Sequence, residues 1–331
     1  MIKFKRNYFV YPFFIILILA VGAIGFIIGI KYEHQIDVNS YLAHLGPIRE
    51  SDTNYKFIKP LLAYKIPSAN DEPQFKPLLS DVSNLIEKKK INNDLLELDK
   101  GRWIGMNQDQ KYSPASLMKV VIMIAYFKEA DQDSGILDKS LTYTKSIDDL
   151  IVAPNTPSKL QIGNSYNVDE LINDMIIDSD NGALYLLDRN IDTNFLQNVT
   201  TALNIPNFQD RYVISPRGYS FIFRILYNAN YLSRDMSEKA FSIMAQTKFT
   251  DGLVAGLPNN ITVAHKFGQY NEVNDQHQIT SVELHDCGII YYEPSPYFLC
   301  IMTRGDSIDK LKTVIKDTSS LIYKNISNMA I

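Results

Sequence analysis

The chain has 331 residues, 46% of them hydrophobic, enough to bury a substantial core in one large domain or two small ones. A formal net charge of -4 gives no electrostatic basis for binding nucleic acid, and the lysine run from Lys88 to Lys90 reads as the solvated face of a helix. Five histidines are scattered, with no His-x-x-x-His or Cys-x-x-Cys spacing and no Gly-rich phosphate loop, so neither a metal nor a cofactor is expected.

Residues 1–7 hold Lys3, Lys5 and Arg6, and residues 8–30 hold no charge. At ~1.5 Å per helical residue such a run crosses the ~30 Å hydrocarbon core of a bilayer. The basic flank then places the N-terminus in the cytoplasm and the rest of the chain outside. A cleaved signal peptide is the competing reading. The run is longer than a usual signal core and no small-x-small site closes it, which favours a lasting anchor. Residues 31–75 are polar, with prolines, aromatics and no sustained period, as in an extracytoplasmic stalk.

The folded domain is expected over residues 76–331. Leu78, Leu79, Val82, Leu85 and Ile86 form a helical stripe within residues 76–93. "LLELD" and "RWIGMN", separated by a turn-like "KG", read as a short hairpin. A helix begins near Ser116 and runs through "VVIMIA", apolar on every side, as in the middle of a domain. Asn167 stands three residues before Glu170 in a capping-box spacing, and two helical stretches follow, broken at Asp178 to Asn181. Residues 218–246 are rich in helix formers.

"NITVAHKFG", "TSVELHDCGIIYY" and "PYFLCIMTRG" have the content of three successive strands, and "IDKLKTVIKDTSSLIYKNI" closes the chain as a helix. The pattern predicts an α+β domain: an antiparallel sheet with strands from both ends of the domain and helices segregated around it. Cys287 and Cys300 flank a Pro-rich turn between two of these strands. Outside the cytoplasm a disulfide is one reading; two small buried apolar side chains is the other.

"YSPASLMKVV" sets Ser116 three residues before Lys119 at the mouth of the apolar helix, which puts both on one face. A desolvated ammonium there has a lowered pKa, and the neutral amine is able to take a serine proton. The same spacing recurs at Ser307 and Lys310, but in a charged helix start that reads as surface. Two more short motifs follow in order: "SDN", Ser179 to Asn181, and "HKFG", His265 to Gly268. Together the three resemble the Ser-x-x-Lys, Ser-x-Asn and Lys-Thr/Ser-Gly elements of the penicillin-recognising serine enzymes, most closely the class A β-lactamase-like domain.

The resemblance implies a β-lactamase/transpeptidase-like fold with an all-helical subdomain, and an acyl-enzyme formed at Ser116 with a β-lactam or a peptidoglycan stem peptide. It implies Lys119 as proton acceptor, Ser179 as relay to the leaving nitrogen, and Asn181 and Lys266 as catalytic and substrate-binding groups. Phe267 and Gly268 complete the substrate strand, and the backbone N–H groups of Ser116 and Gln269 form the oxyanion hole. Two departures stand out. Phe267 occupies the place of a hydroxyl that holds the substrate carboxylate. The segment "ALNIPNFQDRYVISPRGYSFIF" is too short for the loop whose Glu activates water, and its only carboxylate is Asp210. Slow deacylation is therefore expected, and a non-catalytic cell-wall module is the alternative. His265 and His285 read as structural, with His265 pointing away from Lys266 across a strand, and Tyr112 as a core or rim aromatic. The sequence gives no oligomeric state.

Overall fold

The computed structural model describes residues 48–50, 54–63, 81, 84, 92–97, 103–146, 158–205, 213–276, 278–293 and 295–329. The predicted membrane segment 8–30 lies outside the described residues, and so does most of the helix expected over 76–93, of which Asp81 and Asn84 are helical. Among the described residues no helix is long and apolar enough to cross a membrane.

Strand β1 (Ile48–Arg49) pairs with β2 (Leu61–Ala63). Residues 54–60 between them pack on the domain, within the stretch 31–75 that the sequence reads as a stalk. Glu238 collects the N–H groups of Lys56, Phe57 and Ile58 at 2.8–3.1 Å, and Tyr291 Oη donates to Phe57 O at 2.9 Å. Phe57 and Ile58 are buried in the core. These bonds pair three N–H groups and one carbonyl of the strap as it packs on the domain.

The main sheet has the order β4-β3-β9-β8-β7 and is antiparallel throughout. The expected hairpin is β3 (Asn92–Glu97) and β4 (Trp103–Met106), and the three late strands are β7 (Thr262–Val273), β8 (Ile279–Tyr291) and β9 (Tyr297–Gly305). Strands from both ends of the domain thus meet where β3 pairs with β9. Residues 282–290 of β8 are buried without interruption, because helices cover both faces of the sheet. Cys287 and Cys300 are directly opposed in β8 and β9 and joined by a disulfide.

Helix α1 (Lys119–Ala130) follows a 3-10 turn, Ala115–Met118, and is buried on nearly every side, as its composition predicts. A two-stranded sheet, β5 (Ser140–Thr142) with β6 (Ser165–Asn167), leads into α2 (Val168–Ile177). Asn167 and Glu170 form the expected capping box, worth about 1 kcal/mol. Then come α3 (Asn181–Asn190), α4 (Thr193–Ala202), α5 (Pro216–Tyr227), α6 (Arg234–Met244) and, after the strands, α7 (Ile308–Met329).

Helix α7 buries Leu311, Val314, Ile315 and Ile322 in a core with Leu284, Leu299 and Ile301 of the sheet. The larger core joins α1 to α6 to the other face through Cys287, Phe298 and Met302. Lys310 pairs with Asp306 on the exterior, as read for the second Ser-x-x-Lys spacing.

Candidate active site

Three backbone pieces converge on one point: the 3-10 turn carrying Ser116, the break between α2 and α3, and the outer strand β7. Each is shaped locally. Ala115 and Ser179 both adopt positive φ, 47° and 57°, in residues that have a Cβ. Such strained positions persist only where the surroundings over-determine them. Around Ser179 the determining group is Asp180, the N-cap of α3. Its carboxylate accepts from Ala183 N at 2.9 Å, Ser158 Oγ at 2.8 Å and Lys159 N at 2.8 Å. Asp180 was not among the residues singled out from the sequence; an aspartate directly before a helical run is the signal that finds it.

Lys119 is 1% exposed and donates to Ser179 O at 2.5 Å, Asn181 Oδ1 at 2.8 Å and Ser179 Oγ at 3.1 Å. Lys266, fully buried on β7, donates to the same Ser179 Oγ at 2.9 Å and to Phe267 O at 3.1 Å. One hydroxyl therefore bridges two amines. Burial pushes Lys119 down to about 7, with Asp180 opposing the shift. Burial also drives Lys266 well below the ordinary lysine value, and the neighbouring Lys119 adds to this while Asp286 resists it. Two ammonium groups sharing a dry site repel, so the pair favours losing a proton.

The structure brings Lys119, Ser179, Asn181 and Lys266 into one hydrogen-bonded cluster. Ser116 lies one helical turn before Lys119 and is half-buried, but its hydroxyl is not among the partners of Lys119. Catalytic hydrogen bonds are often loose in a free enzyme and tighten with substrate. Gly268 touches the Ser116 turn: a Cβ there would lie 2.8 Å from Pro114 O and 3.3 Å from Leu117 N. Gln269 is the next residue of β7 and is exposed. Phe267 stacks on Phe249, ring centroids 4.2 Å apart, and its face lies 4.3 Å from Lys266 Nζ. Asp210 lies outside the described residues. Helices α4 and α5 are only 13 residues apart, and residues 203–205 and 213–215 between them hold no carboxylate.

His265 does face away, its Nδ1 2.7 Å from Asp286 Oδ1. His285 does more than fill space. Its Nδ1 accepts from Thr303 N, so Nε2 carries the proton and donates to Ser113 O at 2.9 Å. Glu283 Oε2 accepts from Ser113 N at 3.1 Å, and Arg304 pairs with the same carboxylate. Burial pushes Glu283 up, yet the hydrogen bonds from His285 and Arg304 outweigh it and hold the carboxyl below its usual range. Tyr112, buried, bridges to Ile214 and sits edge-on to His285. These groups clamp the strand that leads into the Ser116 turn. Glu283→Gln, whose NH2 must face either Ser113 N–H or the Arg304 guanidinium, is expected to slow acylation of Ser116 by about tenfold to a hundredfold. The pH inflection set by Lys119 should stay where it is; a shift of that inflection, or an unchanged rate, would count against the clamp.

The family described as the β-lactamase enzyme family matches residues 77–326. The chain belongs to this family. Among solved structures, the β-lactamase-family domain superposes on PBP-A with a TM-score of 0.66 at 21% identity, over 80% of this chain and 100% of that one. A single-substitution mutant of PBP-A, solved as an acyl-enzyme complex with penicillin G, gives 0.64 at 22% identity, over 76% of this chain and 97% of that one. A β-lactamase from Chitinophaga pinensis gives 0.65 at 18% identity, over 76% and 100%. At these identities the likeness establishes the β-lactamase/transpeptidase-like fold. No curated protein sequence matches the chain.

Proposed function

We propose that this family member is a membrane-anchored serine hydrolase working outside the cytoplasm. It would form an acyl-enzyme at Ser116 with β-lactams or with D-Ala-D-Ala-type stem peptides, and release the acyl group slowly. The observation that carries this reading is the Ser179 hydroxyl held between the amines of Lys119 and Lys266, at 3.1 and 2.9 Å.

In the proposed sequence Ser116 Oγ attacks the carbonyl carbon as its proton passes to neutral Lys119. A lysine held down to about 7 supplies that neutral form near physiological pH. The tetrahedral oxyanion is met by the N–H groups of Ser116 and Gln269. As the C–N bond breaks, the leaving nitrogen takes a proton from Ser179 Oγ, which is reprotonated from Lys119. Asn181 holds Lys119 in place through its Oδ1 and offers its amide to the substrate. Water then cleaves the ester. Among the described residues Lys119 is the base placed to activate that water, and deacylation is the slow step. PBP-A, a structural neighbour, is known in an acyl-enzyme complex with penicillin G in its mutant form. Residues 8–30 supply the anchor.

The test is intact-mass spectrometry of the full-length chain in detergent with benzylpenicillin, and Ser116→Ala beside it. A persistent adduct on the wild type alone is the expected result. Rapid drug hydrolysis with no adduct would overturn slow deacylation, and no reaction with any acyl donor would favour a non-catalytic wall-binding module. That second reading draws on the shielding of Lys266 by Phe267.

A further inference from the structure

The group on the leaving side of the scissile bond is set by what surrounds Ser179, because Ser179 delivers the proton there. We propose that this side of the site takes an uncharged, apolar leaving group, and that Phe267 with Phe249 selects it. The proposal rests on the acyl-transfer reading above and ranks its substrates: leaving groups that carry a carboxylate, as in D-Ala-D-Ala peptides and penicillins, react more slowly than uncharged ones.

Three observations carry it. First, Lys266 has no donor left for a carboxylate. An ammonium has three N–H groups, and here they meet Ser179 Oγ at 2.9 Å, Phe267 O at 3.1 Å and the Phe267 ring face at 4.3 Å. Lys266 is 0% exposed, so an incoming anion cannot touch it unless the ring moves. Its protonation does not rescue the contact: a charged amine is fully engaged, and a neutral one offers an anion no charge. Second, the surface beside it is a stacked aromatic pair, Phe249 and Phe267, with rings 4.2 Å apart and 19° from parallel, both partly exposed. Such faces favour flat apolar groups. Third, among the described residues Lys159 and Lys248 already pair with Asp178, and Arg304 with Glu283, so a substrate carboxylate would have to compete for them. A carboxylate laid against the two aromatic faces would lose water without gaining a hydrogen bond there.

The reaction is ordinary hydrolysis. The Ser116 Oγ–carbon bond forms as the bond to nitrogen or oxygen breaks, the leaving amine or alcohol departs with a proton from Ser179, and water restores the serine and yields a carboxylic acid.

The experiment compares two esters of phenylacetylglycine with the full-length chain: the phenyl ester, and the same ester with a carboxylate on the phenoxide ring. Turnover and Ser116 adduct are followed for wild type, Ser116→Ala and Phe267→Thr. The uncharged ester should react with a kcat/KM higher by about tenfold or more. Phe267→Thr should shrink or reverse that ratio. Equal rates for the two esters, or a faster charged ester in the wild type, would overturn the proposal. The wild-type comparison stands even if Phe267→Thr folds poorly. Absence of any Ser116-dependent reaction with either ester in either form would instead remove the acyl-transfer reading, and this inference with it.

Discussion

Replacing Lys119 with alanine is expected to slow acylation of Ser116 by about 10²- to 10⁴-fold, the range a positioned general base supplies. The wild-type rate should rise tenfold per pH unit below about 7 and level off above it. The sign follows from the acceptor role. Ser116 can lose its proton only to an amine that is itself unprotonated, and burial of Lys119 lowers the pH at which that form prevails from the ordinary lysine value to near neutrality. Lys119→Arg separates charge from proton acceptance. Arginine keeps a positive group at the helix mouth but does not deprotonate in a protein, so it should be as slow as alanine and lose the inflection. Pre-steady-state acylation measured from pH 5.5 to 9 checks both statements. A Lys119→Arg variant with wild-type rates would mean that Lys119 acts by charge alone. An inflection near 10 in the wild type would mean that the amine is solvated, contrary to its 1% exposure.

The clustered side chains were legible in the sequence because short motifs in a fixed order carry them, and each falls where chain chemistry marks an element. Ser116 and Lys119 open a helix that is apolar on all sides; Ser179 to Asn181 interrupt two helical stripes; Lys266 lies in a strand of β-branched and aromatic residues. The sheet was legible for the same reason, since its late strands are long and apolar. Helix α4 was not. "TNFLQNVTTA" contains β-branched residues and asparagines of low helix propensity, and its start depends on the Asp192 carboxylate accepting from Phe195 N. The strap at 54–63 was unreadable because the group that holds it, Glu238, lies about 180 residues away. Nothing local to "NYKFIKP" encodes that partner.

Glu283 and His285 escaped attention as functional groups because a buried polar residue in a strand looks the same whether it fills a core or grips a loop. The Phe267 substitution was visible, but its consequence was not. Strict alternation along β7 would send its ring to the face opposite Lys266. The ring does pack there, with Phe249 against the core of Val263 and Leu284, and its face also reaches the Lys266 amine.

Gly268→Ala is expected to lower acylation by about 10²-fold while leaving the fold in place. Gly268 lies where β7 meets the Ser116 turn, and an added Cβ would be 2.8 Å from Pro114 O, 3.2 Å from Leu117 Cγ and 3.3 Å from Leu117 N. Two of these three atoms are backbone, so the contact is not relieved by a rotamer change. The turn and the strand must separate by a few tenths of an ångström, and the turn carries Ser116. Tyr219 Oη, which donates to Leu117 O at 3.0 Å, resists that movement from the far side. Strain of this kind costs about 1–3 kcal/mol of stability, less than a typical domain holds in reserve.

Gly105→Ala is the matched control. A Cβ there would come within 2.7 Å of Gln108 Oε1, but that atom ends a flexible, partly exposed side chain, so the variant should acylate at the wild-type rate. Small and large acylating probes distinguish a displaced nucleophile from a blocked pocket. Displacement slows a compact fluorophosphonate and benzylpenicillin alike, whereas a steric block spares the compact probe. Equal slowing with unchanged thermal melting would establish that the glycine of the third motif serves the position of Ser116; wild-type rates in Gly268→Ala would show that the turn and the strand are free to part without cost to the chemistry.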